Sequence, residues 1–212
     1  MIIDNTYFQK GILYIANNRD VSASNAPSVV SELDTFIDIY ERQLLLNALG
    51  TVLYKELETA MTDLPNAAQK WQDLVNGVDY VIDGKTYRWE GLKGYNKNSL
   101  IAFYVFCEYL RNDESVYTTV GVVKNKANNA DNFDLSPKYI KAWNTFLRMY
   151  QSNTNDPMIV VNAFGHVGLD YYGGKNVQVS LYQYLIDQNT LDDTNFPDVE
   201  FTFYRSENTF GT

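Results

Sequence analysis

The chain has 212 residues, enough at about 100–200 per domain for one domain with an extension or two small ones, which excludes large multidomain machinery. Lys and Arg number 17 against 26 Asp and Glu, a net charge of −9, so the chain as a whole offers no electrostatic match to phosphate backbones. Hydrophobic residues make up 45% and aromatics 15%, which supports a real core and excludes disorder as the default state.

The N-terminal thirty residues are polar and punctuated, with Asn17-Asn18-Arg19-Asp20 and Ser24-Asn25-Ala26-Pro27, and read as a loosely held arm over residues 1–28. From Ser28 the residues Val30, Leu33, Phe36, Ile37, Tyr40, Leu44 and Ala48 recur at helical spacing, with Gly50 as a stop. A second helix is expected from Thr51 to about Met61. Pro65 opens a third, short segment through Trp71 and Leu74 to Gly77. The period then changes to two: Tyr80, Ile82, Tyr87 and Trp89 alternate around Asp83-Gly84, the dipeptide favoured in type I′ turns, so residues 78–89 predict a β-hairpin.

Asn98 is the expected cap of a helix from Ser99 to about Arg111 whose sides are nearly all apolar, which makes it the central, most buried helix. Residues 115–135 hold Tyr117 and Val123 and then a polar loop over 124–130, with Lys124, Lys126, Asn128 and Asn129. Ser136-Pro137 is a strong helix start, followed on one face by Ile140, Trp143, Leu147 and Tyr150. Residues 158–164 and 177–181 read as strands, with a short helix over 181–188 capped by Ser180 as the alternative there, and Val199, Phe201 and Phe203 alternate as a further strand. The expected class is mainly α: a helical bundle domain over residues 29–152 with the inserted hairpin, and a mixed α/β, strand-rich extension over 153–212 that acts as a contact tail. Charge divides along similar lines. Residues 1–120 hold 10 basic and 16 acidic side chains, 121–150 hold 5 and 2, and 151–212 hold 2 and 8, giving −6, +3 and −6.

No catalytic constellation emerges. Cys107 alone excludes an intrachain disulfide, and with His166 as the sole imidazole the usual Cys/His zinc sites cannot be assembled within one chain; carboxylate metal sites survive that filter. Gly84-Lys85-Thr86 resembles the end of a phosphate loop, but Asp79 stands where the motif needs its first glycine. Gly165-His166-Val167-Gly168 and Gly173-Gly174 read as a turn region without the strand and helix of a dinucleotide site. No Gly-x-Ser-x-Gly elbow supplies a nucleophile, and Cys107 lies in the most apolar helix, where a thiol is a small hydrophobe. Asp192-Asp193, and Glu56 with Glu58, carry nothing that sets them apart from solvated acids. The chain is therefore expected to be no enzyme, with no cofactor and no metal. The start Met1-Ile2-Ile3-Asp4-Asn5 lacks signal-peptide character, and the longest apolar run, 100–107, falls well short of the roughly 18 residues that span a bilayer; a soluble protein of a reducing cytoplasm is expected.

Several segments together carry a resemblance. Tyr40-Glu41-Arg42-Gln43-Leu44-Leu45-Leu46-Asn47-Ala48-Leu49-Gly50 leads into Val52-Leu53-Tyr54, followed by Trp71-Gln72-Asp73-Leu74-Val75-Asn76-Gly77, by Trp89-Glu90-Gly91-Leu92-Lys93 and by the aromatic helix over 100–110. Downstream come Ser136-Pro137, Ser180-Leu181-Tyr182-Gln183-Tyr184-Leu185, Phe196-Pro197 with Phe201, and Asn208-Thr209-Phe210-Gly211. Over roughly residues 30–212 this resembles the head-to-tail connector (adaptor) ring proteins of tailed bacteriophages infecting Bacteroidetes, the crAss-like group included.

The resemblance implies a virion structural protein that forms a closed ring of about twelve copies below the portal and extends the DNA channel towards the tail. It implies as partners further copies of the chain, the portal protein, neighbouring connector or tail proteins, and genomic DNA passing without sequence-specific binding. It implies assembly in the bacterial cytoplasm and residence in the virion neck, with no membrane. The expected contact residues are Lys124, Lys126, Asn128 and Asn129 in the long loop, Asp83 and Gly84 at the hairpin tip, and Asp192, Asp193, Phe201 and Phe210 in a tail over 189–212. The alternative from another class is a small soluble enzyme or carbohydrate-binding module with a carboxylate/aromatic pocket.

Overall fold

The computed structural model describes residues 1–15, 26–113, 115–118, 121–124, 136–151, 159–161, 167–170 and 177–205. Helix α1 (Ala26–Ala60) buries Leu33, Ile37, Leu44, Ala48, Leu53 and Leu57. It is interrupted at Gly50, whose φ of 73° and ψ of 173° lie outside any helix, so two helical segments meet there, in keeping with the expected stop at Gly50 and second helix from Thr51. Glu41 sits in the same buried stripe, and its carboxylate accepts hydrogen bonds from the backbone N–H of Ile2 (2.8 and 3.0 Å) and of Ile3 (3.1 Å).

That contact corrects the reading of the chain's start. Ile2, Ile3, Phe8, Leu13 and Ile15 are all buried, on two 3₁₀ turns, Asn5–Phe8 and Gly11–Leu13, closed by a hydrogen bond from Ile15 N–H to Phe8 O. Residues 1–15 are core rather than a loose arm, because turns of this kind space apolar residues without a period that a pattern can register. The polar stretch 16–25 lies outside the described residues.

Pro65 falls in a 3₁₀ turn, Met61–Asn66, and α2 (Gln69–Asn76) starts after it instead of at it. Strands β1 (Val78–Ile82) and β2 (Lys85–Trp89) pair antiparallel with Ile82 opposite Lys85. Asp83 and Gly84 between them both have positive φ (50° and 74°), as a type I′ turn requires. Behind this hairpin two backbones touch. A Cβ on Gly91 would lie 2.5 Å from Gly77 N, and Leu92 and Lys93 donate their N–H groups to Leu74 and Val75 carbonyls at 3.0 and 3.1 Å.

Helix α3 (Leu100–Asp113) has every residue from 100 to 107 buried, Cys107 among them, and packs against α1 and α4 (Ser136–Tyr150). Its head is held by Ser99 and not by Asn98: the buried Ser99 hydroxyl accepts from Ile101 N–H (3.1 Å) and donates to Leu92 O (2.6 Å). Between α3 and α4, β3 (Ser115–Thr118) and β4 (Gly121–Lys124) pair antiparallel, so Lys124 ends a strand opposite Ser115 and does not open the loop. Helix α4 starts at Ser136 with Pro137 in its first turn and buries Ala142, Trp143, Phe146, Leu147 and Tyr150.

Strands β5 (Ile159–Val161), β6 (Val167–Asp170) and β7 (Val177–Val179) complete a five-stranded sheet in the order β1-β2-β7-β6-β5. Val167 and Gly168 are therefore strand, not turn: Gly168 pairs with Val160 on one side and Val179 on the other. The β2–β7 pairing is parallel, Tyr87 opposite Val177, so the sheet crosses the division placed at residue 152. Helix α5 (Leu181–Leu191) is capped by Ser180, whose hydroxyl accepts from Gln183 N–H at 3.2 Å.

Helix α5 covers the hairpin's inner face, where Tyr80, Ile82, Tyr87 and Trp89 are buried. Tyr184 stacks on Trp89 with ring centroids 5.2 Å apart, and the fully buried Asp187 accepts hydrogen bonds from Tyr80 Oη (2.6 Å) and Gln183 Nε2 (2.7 Å). Burial, with the Asp187 charge and hydrogen bond added, pushes the Tyr80 hydroxyl far up, so it remains a donor. Beyond α5, residues 199–205 are extended but pair with no strand among the described residues, in place of the expected strand through Val199, Phe201 and Phe203. The class shown is mainly α.

Tyr80→Phe removes a buried donor to Asp187 and is expected to cost about 1.5–3 kcal/mol in urea unfolding at unchanged m-value. Glu41 gives a pH signature. Burial raises its pKa above the ordinary 4.5, outweighing the opposing Ile2 and Ile3 hydrogen bonds, so the folded chain holds this proton more tightly than the unfolded one. Its contribution to stability is full below the ordinary glutamate range and falls as pH rises through the raised pKa. In thermal melts over an acid-to-neutral series, Glu41→Gln should flatten that fall; an unchanged slope would remove the assignment.

Candidate functional site

Asn47 lies one turn before the break of α1 at Gly50. Its carbonyl accepts from Thr202 N–H at 2.8 Å. That bond is one of several that fasten residues 199–205 as a strap across α1 and α4. Gln151 grips Tyr204 on both sides, Nε2 donating to its carbonyl (2.7 Å) and Oε1 accepting from its N–H (2.8 Å), as a neighbouring strand would. Trp143 Nε1 donates to Arg205 O (2.9 Å), Tyr150 Oη to Thr202 O (3.1 Å) and Asn47 Nδ2 to Tyr204 Oη (2.8 Å). Five of these bonds engage main-chain atoms of the strap, as in recognition of an extended backbone, and Tyr204 Oη is held in addition by a side-chain hydrogen bond with Tyr104.

Aromatic packing supplies the apolar half. The Tyr204 ring sits 5.3–5.8 Å from those of Tyr150, Phe146, Trp143 and Tyr104, and Phe201 stacks on Tyr150 at 4.4 Å. Burial first, and then proximity to Tyr204, push the Tyr104 and Tyr150 hydroxyls well up, which keeps both neutral. On the outer side Phe203, 58% exposed, joins Phe201 and Tyr182 in an aromatic patch with centroids 5.0–5.2 Å apart. The Arg111 guanidinium lies 4.7 Å from the Trp143 ring, on the helix beside the groove.

The strap leaves from a firmly set anchor. Asp192 caps a tight turn by accepting from Thr194 N–H (2.9 Å) and Oγ1 (2.7 Å), which holds its carboxyl below the usual range. Asn189 Nδ2 donates to Asn195 O at 3.0 Å, and Phe196 is buried with its ring 5.3 Å from Trp71. A deletion from residue 189 onward would therefore open the core, and the expected separable tail of 189–212 does not hold for its described part.

Of the sequence-derived contact residues, Phe201 lies in the strap and Asp192 and Asp193 in the anchor turn, both exposed. Asp83 and Gly84 stand exposed at the hairpin tip, and Lys124 ends β4. Lys126, Asn128, Asn129 and Phe210 lie outside the described residues, as does His166. Of the groove residues, Trp143 and Tyr150 are expected only as core positions on a helix face, and Asn47 and Gln151 are not among the expected contacts. The sequence does carry a signal for Asn47: a polar residue one turn before a glycine break, where helix carbonyls can take outside donors.

An open cleft of about 320 Å³ lies between the N-terminal turns and the loop before α3, lined among others by Tyr7, Lys10, Asn96 and Lys97. Lys97 Nζ is already engaged by Thr6 Oγ1 at 2.5 Å, and the lining holds no carboxylate, so acid/base chemistry has no pair to work with there. Among the described residues no cluster of three His, Cys, Asp or Glu is placed to hold a metal ion, and no helix is long and apolar enough to cross a membrane. Comparison with protein-family models, curated proteins and solved structures finds no match to this chain.

Gly50 controls the groove. Its backbone conformation is open to glycine almost alone, and an added Cβ would lie 3.2 Å from Glu200 Cβ. Gly50→Ala is expected to cost about 1–3 kcal/mol in chemical denaturation and to speed tryptic cleavage after Arg205 as the strap loosens; unchanged cleavage would separate Gly50 from the strap.

Proposed function

We propose that this chain is a structural subunit of the head-to-tail connector of a tailed bacteriophage, a protein whose work is contact rather than catalysis. Copies close into a ring of about twelve below the portal, and the ring joins capsid to tail and extends the DNA channel. The observation that carries the reading is the strap and its groove: a surface built of side-chain donors and acceptors for a main chain is an interface device, not a reaction site. The segments that carry the resemblance also converge. Leu44, Leu53, Trp71, Leu74, Trp89, Leu92, Trp143 and Tyr184 belong to one hydrophobic cluster around α3.

In this reading the helices form the bundle that makes the ring wall, and the β1–β2 hairpin is an insertion presenting Asp83 and Gly84 at its tip. The partners are the portal, neighbouring connector or tail proteins, and genomic DNA, which passes without sequence-specific binding. A net charge of −9 suits a channel that lets DNA slide, since attraction would retard its passage. No cofactor, metal or membrane enters, and the site of action is the virion neck after assembly in the host cytoplasm.

Sedimentation velocity over a concentration series, with negative-stain imaging, tests this directly. Closed rings, formed alone or on an added portal, are the expected outcome. A particle that stays monomeric under both conditions favours the small soluble enzyme or carbohydrate-binding module.

A further inference from the structure

We propose that residues 199–205 are exchanged between copies, each strap leaving its own groove to seat in the Asn47/Trp143/Tyr150/Gln151 groove of the next subunit. The inference deepens the ring reading above and rests on it. A ring with head-to-tail contacts needs two different, complementary patches on every subunit. Strap and groove are such a pair, and their fit is already displayed within one chain.

Three observations favour exchange. First, the groove reads main-chain atoms: Gln151 to both polar groups of Tyr204, Trp143 to Arg205 O, Tyr150 to Thr202 O. An identical strap from another copy satisfies the same donors and acceptors without loss. Second, anchor and strap are separate units. The Asp192 turn and the buried Phe196 ring hold residues 192–196 to their own subunit, whereas Phe203 is 58% exposed and most polar contacts of the strap are made by groove side chains.

Third, the join between them is strained. Phe196 and Asp198, on either side of Pro197, have positive φ of 48° and 54°, a conformation non-glycine residues seldom adopt. Burial of its ring offsets this for Phe196, while Asp198 is exposed and gains nothing comparable. Extending the chain at Asp198 relieves that strain and redirects the strap outward. Strained hinges of this kind favour exchange of an element over its return. Reach sets the geometry: seven extended residues span roughly 23 Å, so the interface must place one subunit's hinge within that distance of the next subunit's groove.

Asn47→Cys and Thr202→Cys, each made in a Cys107→Ala chain, put two thiols on the residues joined by the Thr202 N–H to Asn47 O bond. The two proteins are mixed under assembling conditions and treated with a short bismaleimide. A chain carrying both cysteines is treated in parallel, dilute and assembled. Exchange predicts a linked heterodimer in the mixture and a ladder of linked copies from the assembled double variant, with only intrachain links in the dilute sample. Rings whose double variant links solely within each chain overturn the exchange and leave the connector reading standing. Monomers at every concentration, with and without added portal, overturn both.

Because Asn47→Cys removes one groove bond, a second measurement leaves the groove untouched. Inserting Gly-Gly-Ser after Pro197 relaxes the hinge and should raise the concentration needed for assembly about tenfold or more. An unchanged threshold speaks against exchange.

Discussion

Helix α3 exposes nothing over residues 100–107, and a helix without a polar face is stable only if protein covers it on every side. That need places the remaining elements. Helices α1 and α4 take two flanks, and the N-terminal turns pack alongside with Phe8 and Leu13 buried. The loop joining β2 to α3 is tied down by Ser99 and by the backbone bonds from Leu92 and Lys93 to α2. Among the described residues the buried apolar side chains form one cluster.

A core built in this way leaves polar backbone atoms to be satisfied at its margins, and side chains do this more than further secondary structure. Glu41 serves two N–H groups at the chain's start, Gln151 serves both polar atoms of Tyr204, and Trp143 and Tyr150 serve two strap carbonyls. Residues 199–205 consequently have the extension of a strand without a strand partner. Their apolar side chains do not divide as in a sheet: Phe201 and Tyr204 pack on the rings of the groove, whereas Phe203 is exposed.

Elements announced by local chemistry were legible in the sequence. Asp83-Gly84 specifies its own turn, Ser180 caps α5, Ser136-Pro137 starts α4 and Gly50 breaks α1, because each signal acts within a few residues. What could not be read depends on partners far along the chain. The parallel pairing of Tyr87 with Val177 has no local signature, and neither has the burial of residues 1–15. The candidate site was legible only through Phe201, since its other half comes from Asn47, Trp143 and Gln151 on two helices, where hydrogen-bonding side chains look like ordinary surface. Glu41 and Asp187 carried a weaker trace, each a carboxylate inside an apolar helical stripe.

The bond between Tyr80 and Asp187 spans 107 residues of sequence. A hairpin forms within microseconds of leaving the ribosome, yet the helix that covers its inner face arrives only after those 107 residues have been made, roughly 5–20 s later at about 5–20 residues/s. Throughout that interval Tyr80, Tyr87 and Trp89 lack the cover that α5 gives them in the folded chain. Closure of this part of the core therefore waits on α5, however early the hairpin itself forms.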